Sequence, residues 1–428
     1  MKKRYLLLLI AAATLMACEH SEPTDEYIDW SQYVMDAAFT PYRTQVSDVN
    51  EEAPWEQYIE DYVLPEQQAL NAASASVAPR NATATDVISL VRNVVDMFTY
   101  KKVVQVAGTY RSMDVNYKPI TLSGKVFYPK DGEVKNVILV SHFTIGANFE
   151  CPSETFALEG LLATKGYMVV IPDYIGYGIT KDRVHPYLQA EVTAYNVIHM
   201  LDAVMAWIKM ENLPLQSDSI ILLGYSQGGA TTMHVQRILE SEMLYKQKFR
   251  IKRTYCGSGP YDVALTYDYS IKKDITGIPC AVPMIIQGMA EGMARPLRMS
   301  YFFKEPLLSN YDDWLNSKDY TVKQINLLIG ATRLSQILTL DASDKSNPET
   351  QRLYKRLIEN SINTFYQPST PMYMFHSMED QTVPFVNSQH MQLQFDNAGC
   401  KNIVYDFGYY GSHTTGMLKF LLKCMKQL

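Results

Sequence analysis

Short β-branched runs alternate with longer amphipathic stretches from about residue 100 onward. Eight of the runs read as strands: Val103–Tyr110, Ile120–Tyr128, Asn136–Ser141, Tyr167–Pro172, Ser219–Gly224, Arg253–Cys256, Met372–His376 and Asn402–Phe407. Those from Asn136 onward are near-continuously apolar, the pattern of strands covered by helices on both faces of a parallel sheet. Between them, Glu191–Met210 has helical periodicity with Val192, Tyr195, Ile198 and Val204 on one face, and Gln227–Glu242 opens with two glycines and then reads as a helix. The alternation predicts a doubly wound α/β architecture.

Two regions break this rhythm. From about Leu265 to Thr370 there is no strand series, only helical patterns such as Gln324–Leu340 and Glu349–Phe365. So long a segment between two sheet strands is no simple connection, and it reads as a helical cap inserted at about 265–370. Met284, Met289, Met293, Met299, Tyr301, Phe302 and Phe303 fall within it. They read first as the cap's own core, and in a minority reading as an adaptable pocket wall. At the other end, Lys2, Lys3 and Arg4 precede an apolar run from Leu6 to Ala17. A basic start and a short apolar stretch describe a secretory signal, well short of the ~20 residues that cross a bilayer. The run ends Leu15-Met16-Ala17-Cys18, which resembles the lipobox of bacterial lipoproteins and implies lipidation of Cys18 after cleavage. The expected partition is therefore 1–18 signal, 19–85 acidic leader and linker, and 86–428 the folded α/β domain with its inserted cap. The protein is expected to be exported and anchored in the bacterial cell envelope.

Charge supports that partition. The 428 residues carry a formal net charge of −6. The first 18 contribute +3, so the chain without them stands at −6 − 3 = −9. From Glu19 to Tyr62 there are twelve acidic residues and one basic (Arg43), a net of −11, which leaves about +2 for everything after Tyr62. The acidic stretch reads as a solvated spacer with isolated aromatics (Trp30, Tyr33, Trp55, Tyr58); a pro-segment or a strap packed on the domain is the weaker alternative. Asn71–Thr85, rich in Ala and Ser, reads as the linker, and Asn81-Ala82-Thr83 as an incidental glycosylation sequon. With no basic footprint, nucleic acid is not an expected partner. Beyond Cys18, five cysteines remain (Cys151, Cys256, Cys280, Cys400, Cys424), none at metal-site spacing; an odd number leaves at least one unpaired. No metal or organic cofactor is expected.

The chemistry concentrates after the strand Ile220–Leu223, where Gly224-Tyr225-Ser226-Gln227-Gly228-Gly229 leads into a helix. A G-x-S-x-G turn between strand and helix projects the serine hydroxyl outward, and the glycines let the two backbones pass closely. A serine needs a base, and the base an acid. His413 lies in the Gly-flanked loop Gly408–Gly416 before a final helix, and Asp380 follows a strand in His376-Ser377-Met378-Glu379-Asp380-Gln381-Thr382-Val383-Pro384. Glu379 and Asp406 are rival acids.

The order Ser226, Asp380, His413 is that of the α/β-hydrolases, which the chain resembles from about Val103 to Leu428. By that resemblance the fold is a mostly parallel sheet with helices on both faces and an inserted cap. Ser141-His142-Phe143-Thr144 resembles the oxyanion loop, with Phe143 where glycine is usual, and implies that backbone N–H groups of Gln227 and Thr144 (or Phe143) bind the oxyanion. Ile171-Pro172-Asp173-Tyr174-Ile175-Gly176-Tyr177-Gly178 resembles the D-x-x-G-x-G turn, with Asp173 structural; His142 is expected to have a hydrogen-bonding structural role. These motifs, Gly257-Ser258-Gly259-Pro260-Tyr261-Asp262-Val263 and the cap look like the secretory lipase branch. That implies a serine esterase or lipase working through an acyl-enzyme on a small-molecule, lipid or glycan ester. Two other readings are a serine peptidase of prolyl-oligopeptidase type and a non-catalytic binding lipoprotein that keeps the fold.

Overall fold

Each of the eight expected strands is present in a computed structural model of the chain, which describes residues 37–66, 68, 95–96, 98–362 and 366–428. The signal segment with Cys18, the aromatics Trp30 and Tyr33, the linker Asn71–Thr85 and the sequon at Asn81 lie outside the described residues. Nine strands form one sheet: β1 (Thr40–Asp48), β2 (Lys102–Met113), β3 (Pro119–Pro129), β4 (Val137–Ser141), β5 (Met168–Pro172), β6 (Ile220–Tyr225), β7 (Ile251–Gly257), β8 (Met372–Ser377) and β9 (Ile403–Gly408). Their order is β1-β2-β3-β5-β4-β6-β7-β8-β9. The β1–β2, β2–β3 and β3–β5 pairs are antiparallel, and every pair from β5 through β9 is parallel.

Among the described residues, nine α-helices have eight residues or more: α1 (Ala190–Met210), α2 (Gln227–Ser241), α3 (Val263–Lys273), α4 (Ala281–Ala290), α5 (Leu307–Asn316), α6 (Val322–Ile329), α7 (Pro348–Glu359), α8 (Val386–Asn397) and α9 (His413–Gln427). Strand alternation sorts two layers around the sheet. Tyr255, Tyr373 and Phe375 join a core cluster with Met417, Phe420 and Leu421 of α9. Their neighbours Cys256, Met372 and Met374 join Ala230 and Met233 of α2 and Met391 and Phe395 of α8. Helices therefore cover both faces, which is why the central strands are apolar at every position.

The acidic leader departs from expectation. Met35–Leu428 is one compact unit, so the domain begins well before residue 86. β1 pairs along the edge of β2 from Thr40 to Asp48, and the segment after it turns back across the α9 layer. There Val49, Trp55, Tyr58 and Val63 are buried in the same cluster as Phe420. The part of 19–85 that is described is a strap, not a solvated spacer. The physical reason is that Trp55, Tyr58 and Tyr62 share one side of a helical stretch, so its acidic residues face outward while its aromatics pack. Each large apolar side chain so buried contributes on the order of 2 kcal/mol.

Helices α3–α7 form the cap, with a core of their own around Met284, Met289, Phe302, Phe303 and Leu353. Met293, Met299 and Tyr301 pack partly buried against it. The expected helix over 324–340 stops at Ile329, because Gly330 takes a left-handed conformation (φ 63°) and its N–H returns to Asn326 O. Glu349–Phe365 is likewise shortened to end at Glu359, with residues 363–365 outside the described set. All five described cysteines are free thiols, and all but Cys400 are buried.

Candidate active site

The serine turn is built by close backbone approach. Ser226 sits between β6 and α2 at φ 57°, ψ −126°, a region that costs a non-glycine residue strain and persists only when the surroundings enforce it. They do so here through contact. A Cβ on Gly224 would lie 2.2 Å from Gly228 O, and one on Gly228 would lie 1.9 Å from Ser141 O. Both positions must be glycine for β4, β6 and α2 to meet.

Three elements then converge. His413 opens α9, and its Nε2 is 2.8 Å from Ser226 Oγ. Its Nδ1 is 2.6 Å from Asp380 Oδ2, in the loop after β8. With Nδ1–H donating to the carboxylate, Nε2 is left to accept the serine O–H. The other oxygen of Asp380 accepts from the N–H groups of Thr382 (2.9 Å) and Val383 (2.8 Å). His376, wholly buried at the end of β8, places Nε2 3.5 Å from Asp380 Oδ2. Burial alone pushes the Asp380 pKa up, but the His413 charge and these hydrogen bonds outweigh it, so the carboxyl is held well below its ordinary range. Burial pushes the His413 imidazole pKa down; the Asp380 carboxylate, and to a lesser degree Glu66, overcome this and leave it above 6.5.

Neither rival acid reaches His413. Glu379 accepts the Gly411 N–H at 2.8 Å and so fixes the loop that carries the histidine. Asp406 is bound instead by Tyr373, Tyr410 and Lys423.

The pocket over Ser226 has an empty volume of about 740 Å³, part of it continuous with solvent. Phe143 and Thr144 border it beside the serine, as do Tyr58 and Tyr62 of the strap and Val282, Met284, Ile285 and Val322 of the cap. Met284 thus serves both cap core and pocket wall. Gln227 is the first residue of α2, where backbone N–H groups have no intrahelical acceptor; its side chain is 2.8 Å from His185 Nε2. Phe143 stands edge-on to Tyr58 and Tyr62, with ring centroids 5.2 and 5.4 Å away. The strap therefore explains a phenylalanine in this loop: it completes an aromatic cluster. His142 lies behind the loop in a separate cavity. Burial lowers its pKa to about 4, its Nδ1 donates to Phe143 O at 2.6 Å, and it stacks on Tyr174. Asp173 accepts from Ser123 Oγ (2.6 Å) and Ser153 N (2.7 Å), holding the turn after β5.

Sequence reasoning missed Glu66, Tyr58 and Tyr62 as neighbours of the site, because they belong to the stretch read as spacer. The signal that could have found them is the aromatic spacing 55, 58, 62, which marks one helical side.

A family model described as secretory lipase matches residues 146–295. Among solved structures, the chain is similar to the rice cell wall degrading esterase LipA from Xanthomonas oryzae. One form shows 22% identity over 76% of this chain and 90% of that one, at a TM-score of 0.63. A ligand-bound form shows 19% identity over 91% and 97%, at a TM-score of 0.65. Candida antarctica lipase A is more distant, with 17% identity over 73% of each chain and a TM-score of 0.53. No curated protein sequence matches. The chain is thus an α/β-hydrolase in fold, and the stretch that the secretory lipase model matches, 146 to 295, carries Ser226 and the first two cap helices.

Proposed function

We propose that the protein is a serine hydrolase of carboxylic esters. The observation that carries this reading is the continuous chain Ser226 Oγ–His413–Asp380, with links of 2.8 and 2.6 Å, opening into a largely apolar pocket. Ser226 Oγ attacks the ester carbonyl carbon while His413 Nε2 takes its proton. Asp380, kept ionised, stabilises the imidazolium that forms. The backbone N–H groups of Gln227 and Thr144 (or Phe143) receive the negative charge that develops on the carbonyl oxygen. When the intermediate collapses, the C–O bond to the alcohol breaks and His413 returns the proton to the departing oxygen. Water, deprotonated by the same histidine, then hydrolyses the acyl-enzyme to release the acid and regenerate Ser226.

The pocket's aromatic strap on one side and aliphatic cap on the other favour an ester with an apolar acyl or aryl group, drawn from small-molecule, lipid or glycan esters. The relatives' names, lipase and cell wall degrading esterase, support that class of substrate. In the cell the enzyme is exported and tethered to the envelope through lipidated Cys18; loss of clickable fatty-acid labelling in Cys18→Ser checks this, and persistent labelling refutes it. The reaction itself is tested with a chromogenic short-chain ester. Ser226→Ala is expected to lower turnover at least about 10⁴-fold and to abolish labelling by a fluorophosphonate. Undiminished labelling of that variant removes the serine from the mechanism.

A further inference from the structure

Among the described residues of the strap, Glu66 bonds to the neighbours of both His413 and Asp380. It is buried, and its Oε2 accepts from Thr414 N (3.0 Å) and Thr414 Oγ1 (2.6 Å), in the residue next to the histidine. Its Oε1 accepts from Thr382 Oγ1 at 2.9 Å, in the loop whose N–H groups hold Asp380. We propose that Glu66 is a positioning residue: a second carboxylate that ties the histidine end of α9 to the acid loop and biases His413 toward accepting a proton.

The geometry gives this bridge a purpose. Asp380 orients His413 from one direction only, and the two residues sit on segments 33 positions apart. Glu379 ties the acid loop to Gly411, ahead of the histidine, and Glu66 adds a second tie at Thr414, beyond it; hydrogen-bond catalysis is sensitive to displacements of fractions of an ångström. A negative charge in the first turn of a helix is itself stabilising, so helix capping accounts for part of what Glu66 does. Capping alone does not account for the second arm to Thr382. Nor does it account for the placement of a buried negative charge one residue from the base. The charged and titratable groups facing His413 are few. Asp380, with His376 behind it, faces the ring from the β8 side; Tyr225 lies under it from β6; Tyr58 and Glu66 come from the strap; and Lys273 of α3 reaches the acid loop through Gln381. Of these, the negative charges are Asp380 and Glu66, and both push the imidazole pKa in the same direction.

This inference rests on the reading of His413 as the base, so the test separates the two. Fluorophosphonate labelling rates and ester kcat and KM are measured against pH for the full-length protein and for Glu66→Gln, which keeps the size and an accepting oxygen but removes the charge. With circular dichroism showing the variant folded, kcat is expected to fall about tenfold, the difference between a charged and a neutral acceptor, with KM little changed and the acid limb of both profiles displaced to lower pH. A folded Glu66→Gln with wild-type rates and an unmoved limb overturns the assignment while leaving the triad standing. If the parent protein neither labels nor turns over esters, the reading of the site falls and the role of Glu66 falls with it. Should Glu66→Gln not fold, Thr382→Val removes one arm of the bridge and leaves the charge; an unchanged kcat in that variant overturns the bridge, and a reduced kcat supports it.

Discussion

Two aspartates, one in the loop past β8 and one within the adjacent parallel strand β9, have surroundings that give them different roles. Asp380, past β8, is dry and is bonded to His413 and to two backbone N–H groups, with His376 behind it. Asp406, on β9, keeps partial exposure and is held by Lys423 Nζ at 2.5 Å, Tyr410 Oη at 2.5 Å and Tyr373 Oη. Burial raises both pKa values, and partners more than reverse it in both: His413 chiefly for Asp380, Lys423 and two tyrosines for Asp406. A depressed carboxyl therefore does not mark the catalytic acid by itself. What distinguishes Asp380 is that its principal partner has a second nitrogen aimed at a nucleophile.

Substitution puts the contrast to the test. Asp380→Asn is expected to lower kcat/KM by about 10⁴-fold, since an amide can hold the histidine in the wrong tautomer. The pH profile sharpens the same point. Only neutral His413 can take the serine proton, and the Asp380 carboxylate, acting against burial, raises its pKa from the ordinary imidazole value, so kcat/KM should rise with pH along a limb displaced upward from that value. In Asp380→Asn the larger raising influence is gone while burial remains, so whatever activity persists should show its limb at lower pH. At the small end, Asp406→Asn should leave kcat/KM within about threefold while costing about 1–3 kcal/mol of stability, the usual loss when a charged hydrogen-bond partner is removed, read as a lower thermal midpoint. The reverse ranking of the two asparagine variants would transfer the acid to β9.

The proposed triad was legible because the chemistry it implies forces local pattern. A strained serine turn needs small residues on both sides of it, and those stand out after Ile220-Ile221-Leu222-Leu223. The acid and base were legible through chain order and the loops that follow β8 and β9. The strap was not, for reasons that are equally physical. β1 reads Thr-Pro-Tyr-Arg-Thr-Gln-Val-Ser-Asp with almost every residue exposed, so no hydrophobic alternation announces it; it is a strand because β2 offers a free edge. Its continuation is acidic overall, and a count of charges cannot reveal that Trp55, Tyr58 and Tyr62 share one side. In the cap, Gln324–Leu340 carried a helical pattern across Gly330, where the backbone needed an ending that apolar spacing does not record. Cap helices pack on one another rather than on the sheet, so their limits follow local capping more than any global period.

The contacts of the strap also set a timetable. Glu66 meets Thr414 across 348 intervening steps of sequence, and Tyr58 Oη meets Thr414 O across 356. A ribosome delivers residues in order, so the strap finds β2 and Phe143 early but waits for more than three hundred further residues before it meets α9. On the proposed reading, Ser226 has no base until His413 emerges, and His413 lacks the Glu66 tie until α9 seats against the strap. On that reading the chain stays inert toward esters until α9 has been made and has seated.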